Sequence, residues 1–364
     1  MGDVSSSDNT GIGGIYGVVG DVTTFTNSGT ISAAATMGNV DGSDANIYNI
    51  YGFNVGDVTT FTNSGTISAA ATMGNVSDSF AGIGGIYGVV VDGATDTFTN
   101  TGTISASAKM GDVSGSTANI YNIYGVVVDG VTDTFTNTGT ISAAATMGNV
   151  SSSDNTGIGD IYGVYVGGVT DTFTNTGTIS ASATMGDVSS SDNTGIGGIY
   201  GVYVGDVTTF TNSGTISATA TMGDVSSGSD AYINGIYGVV GDVTTFTNSG
   251  TISATATMGN VSSNSAAQIN GMSGVYVDDN VTTFTNSGTI SATATMGDVS
   301  SSPSAGIAEI LGVLVDGDVT NFTNTGTISA TATMGNVSSG SDAGIYDIYG
   351  VYVGGVTDTF TNTG

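Results

Sequence analysis

The sequence predicts an all-β fold, a parallel β-solenoid (β-helix) of about ten coils, and three observations predict it. The first is a tandem repeat of 36 to 38 residues running the length of the chain. The second is a segment in every repeat where apolar and polar residues alternate strictly. The third is punctuation: 60 glycines, one proline (Pro303) and abundant Thr, Ser, Val and Ile favour strands and turns over helices.

The signature Met-Gly-(Asp/Asn)-Val begins at Met1, Met37, Met73, Met110, Met147, Met185, Met222, Met258, Met296 and Met334. Periods of this size belong to solenoids, propellers and arrays. A propeller needs about four strands per blade and a closing arrangement, which these units supply poorly. The near-identity of the units makes residues 1–364 one tandem-repeat solenoid domain. Two short coils per repeat would require matching halves, and the Phe-Thr-Asn half does not match the Ile-Tyr-Gly half. One coil of three strands per repeat is therefore expected, and ten coils at ~4.8 Å give a rod of about 48 Å. The twist preference of β-connections makes a right-handed coil the expectation.

In the segment Thr30 to Met37, residues Ile31, Ala33, Ala35 and Met37 share one face, and Thr30, Ser32, Ala34 and Thr36 the other. That pattern is a half-buried strand. The only basic residue, Lys109, stands where Thr36 does, on the solvent side. Counting back from Ile31 places Phe25, Asn27 and Gly29 inward, so two ladders are expected. One comprises Phe25, Phe61, Phe98, Phe135, Phe173, Phe210, Phe246, Phe284, Phe322 and Phe360. The other comprises Asn27, Asn63, Asn100, Asn137, Asn175, Asn212, Asn248, Asn286, Asn324 and Asn362. Stacked amides satisfy one another along the axis, where a lone buried amide would be costly. The glycine that follows permits a corner.

A third strand, Ile161 to Val166, is read with Val164 inward and Tyr165 outward. Gly-Asp or Gly-Gly turns separate the strands, as does a loop such as Ser151-Ser152-Ser153-Asp154-Asn155-Thr156-Gly157, in which Pro303 falls in its own unit. The residue after Met-Gly is Asp at positions 3, 112, 187, 224 and 298 and Asn at positions 39, 75, 149, 260 and 336. Mixing the two dilutes a repulsive ladder. The cost of burying a carboxylate sends this side chain outward at the corner.

The formal net charge of −29 excludes nucleic acid and acidic membrane surfaces as electrostatic partners. His, Cys, Trp and Arg do not occur, which rules out His or Cys catalysis, thiolate metal sites and disulfides. Any pair of Asp residues recurs coil after coil, so no unique catalytic constellation emerges and no enzyme is expected. A hydrophobic fraction of 38%, regularly placed, argues for a packed chain over a disordered one. No run is long and apolar enough to span a bilayer, so no membrane insertion is expected. Asp turns are possible Ca²⁺ ligands, yet the calcium-binding nonapeptide repeat does not occur, and no cofactor is predicted. Asn75, Asn149, Asn260, Asn280, Asn321 and Asn336 fit the Asn-x-(Ser/Thr) pattern of glycosylation.

Met1 stands in phase with the repeat, and neither a basic region nor an apolar stretch follows it, so no signal peptide is visible. Neither end reads as a polar cap, and uncapped coils offer unpaired N–H and C=O groups as a template. About ten such pairs at ~0.5–1.5 kcal/mol each amount to roughly 10 kcal/mol before entropy costs. Axial association with further copies of itself is therefore expected.

The phrase Thr-Asn-Ser-Gly-Thr-Ile-Ser, repeated along the chain, resembles the coils of bacterial autotransporter passengers and related surface β-helix adhesins. That resemblance implies an exported protein with its β-helix outside the cell, although the translocator barrel of that family is missing from this sequence. The acidic, cysteine-free, Gly/Ser/Thr/Ala/Val-rich make-up is also similar to that of amyloid-like sheath and surface-layer proteins of some archaea. It implies a self-assembling coat. The expectation is an extracellular structural protein forming a sheath, filament or surface layer. The alternatives are an adhesin stalk binding glycans through outward tyrosines such as Tyr165, Tyr203 and Tyr352, and an ice-binding face built on rows such as Thr215, Ser217, Thr219 and Thr221.

Overall fold

The computed structural model describes residues 1–5, 9–153, 155–338 and 340–364; Asp154 of the loop quoted above lies outside the described residues. Every strand pairing is parallel and joins equivalent residues of successive repeats. Thr103–Met110, for instance, pairs residue for residue with Thr66–Met73 on one side and Thr140–Met147 on the other. One repeat therefore makes one coil, and the fold is a β-solenoid of about ten turns.

A representative coil has an entry strand Val76–Ser77, a long strand Phe80–Val91, an amide strand Thr95–Asn100 and an alternating strand Thr103–Met110. This is one segment more than the three strands expected. The two-residue entry strand is too short to show a period. The long strand starts well before Ile-Tyr-Gly, and no period of two reveals its first part because the inward pattern is interrupted: Ile83 and Ile86, three residues apart, are both buried.

The interruption is a backbone corner. Gly14, Asn49, Gly85, Asn122, Asp160, Gly198, Gly235, Gly271, Glu309 and Asp347 occupy the same position in successive coils, all with φ between 55° and 67°. Each inserts one unpaired residue into the ladder and resets which face the following side chains meet. Gly, Asn and Asp tolerate this left-handed conformation, whereas a Glu is strained there. Replacing the exposed Glu309 with glycine is expected to raise stability by about 1 kcal/mol, read as an increased denaturation midpoint.

The interior is divided into two chambers. One holds the Ala and Met residues of the alternating strand, the entry-strand Val and the Ile residues flanking the corner; the other holds the Phe ladder, the Val residues of the long strand and the first Ile of the alternating strand. A column of glycines separates them. A Cβ added at Gly125 would lie 2.5 Å from the Gly163 carbonyl oxygen and 2.7 Å from Ile141 Cγ2. Gly52, Gly88, Gly163, Gly201, Gly238, Gly274 and Gly312 face the same obstruction in their coils. Without Cβ atoms the long strand closes onto the alternating strand, and the cross-section is pinched.

The amide strand opens with a buried residue that is Thr95, Thr132 and Thr170 in three consecutive coils but Val58, Val207, Val243, Val281 and Val319 in others. The three threonine hydroxyls are buried without a hydrogen-bond partner. Valine has nearly the same shape and leaves nothing unsatisfied. Thr132→Val is expected to stabilise the fold by about 1 kcal/mol in chemical denaturation.

Candidate functional site: the contact between coils

Among the described residues no three His, Cys, Asp or Glu side chains gather to hold a metal ion. The feature that every coil shares is its contact with the next. Its polar centre is the amide column. Asn100 Nδ2 donates to Asn137 Oδ1 at 2.8 Å and, less closely, to the carbonyls of Gly102 and Thr140, both at 3.3 Å. The amide-to-amide link recurs at 2.8 Å from Asn27 through to Asn362. The expected ladder is formed in full, with every side chain from Asn63 to Asn286 completely buried.

Two residues earlier on the same inward face, the phenylalanines stack with ring centroids 4.4 to 5.2 Å apart. Phe61 through Phe322 are fully buried; Phe25 is half-buried and Phe360 is 53% exposed, because each stands in a terminal coil of the described chain. The glycine after the amide strand has no positive φ. It is required because a Cβ at Gly102 would run into the Gly65 carbonyl of the preceding coil. Lys109 is exposed and Val164 buried, as the alternation implied, while Tyr165 lies half-buried at the surface.

The corner after each Met proves to be a second polar ladder that the sequence reading missed. Oδ1 of Asp3 accepts the backbone N–H of Asn39, Oδ1 of Asn39 accepts that of Asn75, and the series continues to Asn336 at 2.7 to 3.0 Å. These side chains are exposed at the corner, as expected, but each joins two coils. Asp and Asn share this acceptor and differ only at the other terminal atom, so either suffices. A glycine precedes them because a Cβ at Gly111 would collide with Asn75 Oδ1. An Asp/Asn mixture behind an unvarying glycine was the available signal. A third column, Ser116, Ser153, Ser191 and Ser229, threads the first loop, each hydroxyl oxygen accepting the N–H of the serine one coil earlier.

On the surface, Tyr16, Tyr51, Tyr87, Tyr124, Tyr162, Tyr200 and Tyr237 stack at 4.5 to 5.3 Å. Burial first, then neighbouring phenols and carboxylates, push Tyr87 and Tyr200 up to about 12, and Tyr124 and Tyr162 are raised by the same causes. Between the ordinary phenol value near 10 and about 12, the folded chain keeps protons that the unfolded chain has lost, so stability falls as pH rises. Denaturation midpoints are expected to be level from neutrality to pH ~10 and to decline steadily above it, in step with a late rise in tyrosinate absorbance.

Tyr165 and Tyr203 stack on each other at 5.2 Å and stand edge-on to Tyr162 and Tyr200 at 5.7 and 6.0 Å. One face of each of these two rings is thus covered by the other. Tyr352 is exposed and meets Tyr349 edge-on. Compared with protein-family models, with curated proteins and with solved structures, the chain shows no match.

Proposed function

We propose that this chain is a structural protein of the cell exterior, built to extend by stacking coil on coil into a sheath, filament or surface layer. The observation that carries this reading is the sameness of the contact: one 2.8 Å amide link, one corner bond and one Phe stack recur from coil to coil. The upper face of any coil therefore fits the lower face of any other. The contact also has a direction. Asn Nδ2 donates, and the corner Oδ1 accepts, always toward the later coil. Two upper faces would set donor against donor and acceptor against acceptor, so coils add head to tail. A contact of that kind does not close on itself, and it propagates as a fibre. Phe360, with 53% of its surface exposed where Phe322 has none, is a seat for whatever stands next, a further repeat or another copy.

The resemblance to exported β-helix passengers and to sheath proteins supports the extracellular setting. Negative-stain electron microscopy of the purified chain is expected to show fibres longer than a single molecule, with a ~4.8 Å axial reflection in fibre diffraction. A strictly monodisperse short rod at high concentration would overturn the reading.

A further inference from the structure

The nine-stranded sheet of alternating strands, from Thr30–Met37 to Thr327–Met334, contains none of the chain's 30 acidic residues. Its outward side chains are Thr, Ser and Ala, with Lys109 as the one exception. Elsewhere carboxylates stand in columns at the corners, turns and amide strand, while the long strands hold only scattered ones such as Asp160, Glu309 and Asp347. Asp112 and Asp187 stand on the Met-Gly corner, Asp92 and Asp129 in the turns before the amide strand, and Asp133 and Asp171 on the amide strand itself.

At a net charge of −29, two copies approaching through the corner, turn or amide-strand sides bring like-charged columns together, and through the long-strand side they meet a ridge of stacked tyrosines. Through the alternating sheet they meet neither. We propose that this sheet is a lateral interface, on which a second copy of the chain packs its own carboxylate-free sheet.

Nine strands at ~4.8 Å and eight residues at ~3.3 Å give a face of roughly 1,000 Å², and pairing two such faces removes roughly 2,000 Å² from water, the size of a stable interface. Short Thr, Ser and Ala side chains let two sheets interdigitate closely. Lys109 holds the last outward position before the Met-Gly corner, at the rim of the face, where its long stem keeps the ammonium in water.

This inference deepens the stacking reading and rests on it for the identity of the partner, yet stacking and pairing use different surfaces and fail separately. The test compares the full chain with two variants that each add two carboxylates. One is Ala144→Asp with Thr219→Asp on the sheet face; the other is Thr136→Asp with Thr211→Asp on the outward side of the amide strand. Circular dichroism confirms that both fold, and electron microscopy with sedimentation reads rod width and length.

The unmodified chain and the amide-strand variant are expected to give double-width rods, more so as salt screens the charged sides. The sheet-face variant is expected to give single-width rods of unchanged length. Single rods of the unmodified chain at every salt concentration, or a sheet-face variant as paired as the other, would overturn the proposal. Short particles that still pair side by side would support it and overturn stacking instead. Single rods that slow the growth of ice crystals, with the effect lost in the sheet-face variant, would replace the second copy with a water lattice.

Discussion

Asn137→Asp is expected to destabilise the rod by about 4 kcal/mol at neutral pH, more than any truncation at the same place. Asn137 Nδ2 donates to Asn175 Oδ1 at 2.8 Å and to the carbonyls of Gly139 and Thr178 at 3.3 Å. An oxygen in place of that nitrogen confronts three acceptors with no hydrogen to offer, in a position with no solvent exposure. Asn137→Leu, by comparison, takes from Asn100 Nδ2 its closest acceptor and from Asn175 Oδ1 its donor, and is expected to cost about 2–3 kcal/mol.

The two variants separate further with pH. The buried aspartate folds best when protonated, so over the range above the ordinary carboxylate value near 3.9 the native state binds more protons than the unfolded state. The stability of Asn137→Asp should therefore fall more steeply from pH 4 to 7 than that of Asn137→Leu, which keeps only the slope that the burial-raised carboxyls of Asp129, Asp160 and Asp242 give the unmodified chain. Urea denaturation at the two pH values reads both.

The second large effect is expected from one methyl group at the pinch. Gly125→Ala places a Cβ 2.5 Å from the Gly163 carbonyl oxygen, 2.7 Å from Ile141 Cγ2 and 3.2 Å from the Ser142 carbonyl oxygen. Two of these are backbone atoms already fixed by pairing, so the strands must part. The loss is expected to be about 3 kcal/mol. Gly306→Ala supplies the control. Its nearest obstacle is a carbonyl at 3.9 Å, and the coil before it carries Gln268 in the same register, so a change of no more than ~0.5 kcal/mol is expected. Equal losses at the two sites would show that the close approach at Gly125 is not what demands glycine there.

What was legible in the sequence was whatever repeats with a period of two. The alternating strand and the Phe and Asn ladders follow from parity once one coil per repeat is granted, and the coordinates place Phe98 over Phe61 and Asn100 over Asn63 in register. What stayed hidden depends on backbone conformation. The left-handed corner is held by Gly, Asn or Asp in nine coils and by Glu309 in the tenth, but the same residue types fill the turns and loops of this chain, so the position does not stand out. The pinch at Gly125 was equally silent, since in a chain with 60 glycines one more carries little information without the strand that approaches it. The corner ladder shows in the sequence as an Asp/Asn mixture, which reads as charge, whereas what the fold uses is an oxygen.

That preference for an oxygen has a consequence for how such a sequence can change over time. Replacing Asp3, Asp112, Asp187, Asp224 and Asp298 with Asn would remove five of the 30 acidic residues while every corner bond keeps its acceptor. The electrical character of the surface is thereby free to drift while the scaffold beneath stays fixed. Solubility and shape can be inherited as separate traits.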